Sequence, residues 1–127
     1  MGAGARFAAE RDRWPEHWRV ADLEMEEDGL LADLQPTEEL RAVVPAMRST
    51  SAHGEVQVLI GVTDRRVVLV SRQRTDEHRL HVLDVTDCAA TAPRGERLVP
   101  HDDGHLAFDV DDESIARVWA HIDAVAP

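Results

Sequence analysis

Five arginines, Arg65, Arg66, Arg72, Arg74 and Arg79, cluster in the middle of the chain. A guanidinium forks carboxylates and phosphates through paired N–H donors, so this group could form a face for an anion or an acidic partner. The same residues also suit outward-facing strand positions, where charge discourages edge-to-edge pairing. Further on, His101-Asp102-Asp103-Gly104-His105 places two imidazoles and two carboxylates within five positions. A metal needs such ligands to converge at about 2.0–2.2 Å, held by further hydrogen bonds. Asp-Gly instead favours a tight turn that splays these side chains into water. His78 and His81 fall on opposite faces if residues 78–84 form a strand, which prevents joint chelation. Cys88 has no sequence-local activator and reads as a small packing residue.

Nucleophile elbows, phosphate-binding glycine loops and helical His-Glu zinc patterns are absent from the sequence. The expectation is therefore a non-enzymatic protein with no catalytic residues, no metal and no cofactor. Trp14 and Trp18 carry a different chemistry. With Phe7, Ala21 and Met25 they recur at helical spacing. Such a stripe either pins a helix to its own domain or forms a partner interface of Trp14, Trp18 and Met25, tryptophan being prominent at binding hot spots.

Charge narrows the partners. The chain of 127 residues has a net charge of −11. Residues 1–40 carry −7, residues 41–100 carry +2 and residues 101–127 carry −6. A field of that sign repels phosphate backbones and anionic headgroups, so nucleic acid is not expected and a membrane is disfavoured. All 14 basic residues are arginine, as fits a GC-rich genome. The single cysteine rules out an intrachain disulfide and suits a reducing compartment. No apolar segment follows Met1 to Ala5, and Arg6 stands where a myristoylation signal needs Ser or Thr. A cytoplasmic protein of one domain is expected.

The elements that must position these residues fall into two parts, residues 1–34 and residues 35–127. Residues 1–34 read as a helical appendage. Pro15 suits a first helical turn, Glu16 favours the positive end of the dipole, and Gly29 is expected to end the helix. From Glu39 the apolar period shortens, and strands are predicted near 40–48, 55–62, 66–72, 78–84, 86–92, 96–100 and 105–110. In Gly54–Val70, residues Val56, Val58, Ile60 and Val62 share one face, and Val67 and Leu69 resume that period after the turn Thr63-Asp64-Arg65-Arg66. At the end, Asp111 or Asp112 caps a helix whose Ile115, Val118, Trp119, Ile122 and Val125 form one stripe.

The stretch GEVQVLIGVTDRRVVLV, with Pro36-Thr37-Glu38-Glu39 upstream, resembles the bacterial PH-like and GRAM-type domains of the pleckstrin-homology superfold. The resemblance covers about residues 35–125. It implies an α+β fold: a bent antiparallel sheet or partly open barrel of about seven strands, capped by the C-terminal helix, with the N-terminal helix as an extra. It also implies that Trp119 buries against Val58, Ile60, Leu69 and Phe108. Phosphoinositide-binding relatives carry a basic cluster around the first hairpin loop, whereas this loop holds only Arg48 and His53. The function expected is a protein-interaction or self-assembly module working through another protein or a homo-oligomer. The alternative is an anion- or lipid-headgroup-binding module using the arginine face.

Overall fold

The structure is a computed structural model that describes residues 2–50, 54–72, 78–84, 98–101, 104–107 and 109–125, with side chains at 2–48, 54–71 and 109–124. The chain is α+β. Three short helices, α1 (Ala3–Arg11), α2 (Glu16–Arg19) and α3 (Glu24–Asp33), precede β1 (Leu40–Thr50), β2 (Gly54–Thr63), β3 (Arg66–Arg72) and β4 (His78–Asp84). These four strands form one antiparallel sheet in sequence order. A separate hairpin of β5 (Leu98–His101) and β6 (Gly104–Ala107) follows, and α4 (Asp112–Val125) closes the described chain.

The first helical run is three helices and not one. Pro15 lacks the amide donor a continuing helix would need and clashes with the preceding turn, so α1 stops before it and α2 restarts with Pro15 as its N-cap. Gly29 does not end a helix, contrary to expectation. It lies inside α3, whose next residue, Leu30, is fully buried. That packing offsets the propensity cost of a mid-helix glycine, about 1 kcal/mol. The helix ends instead at Leu34, which is extended ahead of Gln35-Pro36.

Strands β1 to β4 follow the sequence expectation closely. Among the described residues the chain has six strands. The strand expected at 86–92 lies outside them, as do Cys88, Arg74 and Phe108. Gly54 closes the β1–β2 hairpin with φ 67°, a left-handed conformation that favours glycine.

The sheet is covered on both faces. On one face Ala42, Val44, Ala46, Val58, Ile60, Val62, Val67 and Leu69 pack under Ile115, Val118, Trp119 and Ile122 of α4. On the other, Val43, Leu59, Val68 and Val70 pack under Phe7, Trp14, Trp18, Leu23 and Leu30 from the N-terminal helices. A bulge between Leu40 and Ala42 shifts the phase of β1, which brings Leu40 onto the same side as Val43. Gly61 sits on this second side. A Cβ there would stand 2.9 Å from Leu30 Cδ1, so the absent side chain lets α3 approach the sheet closely.

β1 is an edge strand, yet its outward backbone is occupied. Val43 N donates to Glu10 Oε1 (3.0 Å), and Val43 O accepts from Trp14 Nε1 (2.9 Å). Met47 exchanges backbone bonds of 2.9 and 2.8 Å with Asp109. Pro45 lies between them on the same edge and has no N–H to leave unmet. Side chains from α1 and the α1–α2 turn thus stand where a fifth strand would otherwise add.

Candidate functional site

The Thr63-Asp64-Arg65-Arg66 turn and the segment from Asp33 to Glu39 prove to be two halves of one lock. Arg66 Nε donates to Glu38 Oε2 (2.8 Å), and its Nη2 donates to Glu38 Oε1. Arg66 Nη1 reaches Asp33 Oδ2 at 3.0 Å. Thr63 Oγ1 donates to Glu38 Oε2 (2.7 Å) and accepts from the amides of Arg65 and Arg66. Asp64 and Glu39 bind each other twice: Glu39 N donates to Asp64 Oδ1 and Asp64 N to Glu39 O, both at 3.0 Å. The hydrogen bonds from Arg66 hold the Glu38 carboxyl down to about 2, against the upward push of burial, with help from Thr63 and the Gln35 amide. The same pair holds the Arg66 guanidinium above its usual range.

This geometry divides the arginine group. Arg66 is taken up by two carboxylates and a backbone carbonyl, so it is a fastening and not an open anion seat. Arg65 is exposed and leans on Gln35 Oε1 (3.4 Å) and Thr37 Oγ1 (3.1 Å). Arg72 pairs in register with His78 and Arg79 with Ser71, but their side chains lie outside the described ones. His78 and His81 are in β4, as expected. His101 and His105 flank the β5–β6 turn, where His101 pairs with Gly104 and Pro100 with His105. The turn residues Asp102 and Asp103 are outside the described set.

The tryptophans land on their own chain. Trp14 is 2% exposed and Trp18 8%, both in the cluster beneath the helices. Trp14 meets Phe7 edge-on at 5.7 Å, and the Arg11 guanidinium lies 5.6 Å from its ring centroid. Met25 is half-buried. Of the interface expected of Trp14, Trp18 and Met25, Trp14 is thus spent on the sheet of its own chain, and Trp18 is largely so, its remaining surface lining a groove. The physical reason is the second apolar face of β2 and β3, which needs a cover.

That cover stops short, and a groove of about 550 Å³ remains where it ends. Pro15, His17, Trp18 and Ala21 form one wall, Met47, Glu55 and Gln57 the floor, and Asp109, Val110 and Asp111 the other wall. The floor is set by register: Met47 lies opposite Gln57, and Ser49 opposite Glu55, one step beyond the helices. Met47 also bridges to Asp109, so Gln57, Met47 and Asp109 stand in one row across the strands. Asp111 caps α4, its Oδ2 accepting from Ser114 N at 3.0 Å, while its Oδ1 is shielded from solvent without a hydrogen-bond partner. His17 and Trp18 rings lie 5.5 Å apart, tilted by 39°.

Sequence reasoning reached Trp18 and the capping role of Asp111. It missed His17, Met47, Glu55, Gln57 and Asp109 as neighbours, because only the paired register and the Met47–Asp109 bridge bring them together. Among the described residues no group of three His, Cys, Asp or Glu side chains could hold a metal ion, and no helix is long and apolar enough to cross a membrane. Comparison with protein-family models, with curated proteins and with solved structures found no match for this chain.

Proposed function

We propose that this chain is a non-catalytic, PH-like protein-interaction module whose contact surface is the groove between α2, the β1–β2 floor and the start of α4. The PH-like reading rests on the sequence motif, the order of antiparallel strands and the helix that follows them. The observation that carries the functional reading is the lining of the groove. Apolar and aromatic walls are interleaved with amide and carboxylate groups, a mixture suited to holding a partner's side chains. An alternative anion or lipid-headgroup function would need a free arginine face, and Arg66 is already committed to Glu38 and Asp33.

Photo-crosslinking tests this reading. A benzophenone amino acid placed at Gln57, inside the groove, should give a discrete adduct in the source cells. The same group at Ala120, on the exposed side of α4, should give none. The adduct's mass separates a second copy of the chain from another protein. Equal adducts at both positions, or none at Gln57, would remove the groove as the contact surface.

A further inference from the structure

We propose that Thr37 is a phosphorylation site whose phosphate is seated by Arg65. This inference is independent of the groove. It takes up the one arginine of the expected anion face that is exposed among the described side chains. The hydroxyl residues among those side chains are Thr37, Thr63, Ser71 and Ser114. Thr63 and Ser114 are buried. Ser71 sits in β3, paired with Val58 on one side and Arg79 on the other, so its segment is not free to enter an enzyme's cleft. Of the four, Thr37 alone is exposed. The sequence holds it at the corner of a turn: Glu38 N donates to Gln35 O at 3.0 Å, and Pro36 takes the second position, where its fixed φ suits a β-turn.

Across from that corner, Arg65 Nη2 donates to Thr37 Oγ1 at 3.1 Å and Nη1 to Gln35 Oε1 at 3.4 Å. Both acceptors are neutral, so neither balances the charge of Arg65. A phosphoryl group on Oγ1 brings three acceptor oxygens and about −1.5 to −2 charges to the atom that Nη2 already contacts. Free phosphate is the weaker alternative, because an exposed ion pair adds little in water. A covalently attached phosphate stays within reach at any bulk concentration. The carboxylates nearby are Glu38, Glu39 and Asp64. Glu38 is held by Arg66, Glu39 lies 3.9 Å from Arg41, and Asp64 Oδ1 accepts from Glu39 N. Arg65 is thus left to the phosphate, and the new pair would fasten segment 33–39 to the 63–66 turn beside the bonds that Arg66 makes to Glu38 and Asp33. The donor is a nucleoside triphosphate brought by a protein kinase. The Thr37 Oγ1–P bond forms, the bond from the γ-phosphorus to its bridging oxygen breaks, and the nucleoside diphosphate leaves with the electron pair. The hydroxyl proton passes to a carboxylate of the kinase.

Two measurements test this. Intact and fragment masses of the chain purified from its source cells should show one phosphate, on Thr37. The full chain made with phosphothreonine at position 37 is then titrated by phosphorus NMR. The second pKa of such a phosphate is ordinarily about 6. Arg65 favours the dianion, so the value should fall by about half a unit, about threefold in proton affinity. Arg65→Gln changes an exposed side chain and should return it to about 6 or above, since Glu38, Glu39 and Asp64 then act without the guanidinium. The phosphorylated chain should also melt above the unmodified one, and Arg65→Gln should cancel that gain. Absence of phosphate on Thr37 in the source cells, a second pKa that Arg65→Gln leaves in place, or equal melting temperatures with and without the phosphate would each overturn the proposal.

Discussion

Glu38 accepts four hydrogen bonds, two from Arg66 and one each from Thr63 and the Gln35 amide, while its own side chain is 1% exposed. Removing its charge leaves the partly buried guanidinium with only the Asp33 carboxylate to balance it. Glu38→Gln should therefore lower unfolding free energy by about 3 kcal/mol, the low end for a broken buried pair because Arg66 keeps some exposure. Arg65→Ala, one position earlier but exposed, should change it by less than about 0.5 kcal/mol. Equal denaturant midpoints for the two variants would show that the lock contributes nothing.

The same residue sets an acid limit. Its folded carboxyl titrates at about 2 against an ordinary 4.5. Below about 4.5 the unfolded chain takes up the proton first, so stability falls with pH until about 2. His121 adds a second, higher window. Burial chiefly holds its imidazole below the usual 6.5, with Glu10 opposing and Arg41, Arg117 and Arg6 reinforcing. Here too the unfolded chain binds the proton first, so stability declines as pH falls from about 6.5. Wild type should lose stability in two stages on acidification, and His121→Gln should lose only the lower one. A His121→Gln profile superimposable on wild type would refute the assignment.

Among the elements, β2 shows how far the sequence was legible. Period-two spacing of Val58, Ile60 and Val62 marks the face under α4, and these residues do bury there with Trp119. The other face was present in the same letters, because Leu59, Gly61, Val68 and Val70 fill the gaps of that pattern. An uninterrupted apolar run means burial on both sides. Once both faces of the sheet are seen to be apolar, the N-terminal helices become a cover. The lock joining Glu38 to Arg66 could not be read as a contact, because the residues are 28 positions apart and only the fold pairs them. The groove is less legible still, since its walls come from α2, β1, β2 and the entry to α4.

Gly61 gives the element scale its test. Its missing Cβ admits Leu30, so Gly61→Val should push α3 away from β2 and destabilise by about 1–3 kcal/mol, as overpacking does. Leu30→Ala in the same chain should recover part of that loss. Additive losses in the double variant would show that the two residues do not share one space. Trp14→Phe probes the β1 edge separately. It keeps an aromatic ring but leaves the outward Val43 carbonyl without its indole donor, a loss of about 1–2 kcal/mol. A Trp14→Phe variant as stable as wild type would sink that role.

For the whole molecule, the order of layers matters more than the count of strands. Helices from the N-terminus and α4 enclose the sheet from opposite sides, and each side has its own buried cluster. Residues 1–34 are thus coupled to the sheet in three ways: by apolar contact, by Glu10 and Trp14 on the β1 edge, and by Asp33 in the Arg66 lock. Glu10 is also met by Arg117 of α4 at 3.4 Å, so one carboxylate ties the cover, the strand edge and the opposite helix together. Deleting residues 1–34 would uncover Val43, Leu59, Val68 and Val70 along with an unprotected edge strand. Contiguous apolar surface of more than a few hundred Å² promotes association, and an open edge templates pairing. The truncated chain should therefore bind a hydrophobic dye, broaden its thermal transition and sediment as aggregates. Trp14→Ala with Trp18→Ala should move the full chain part of the way there, with a lower melting temperature and an unchanged mass before unfolding. A truncated chain that stayed monomeric, bound no dye and unfolded sharply would mean that residues 35–127 form a self-sufficient domain and that the helices are an accessory to it.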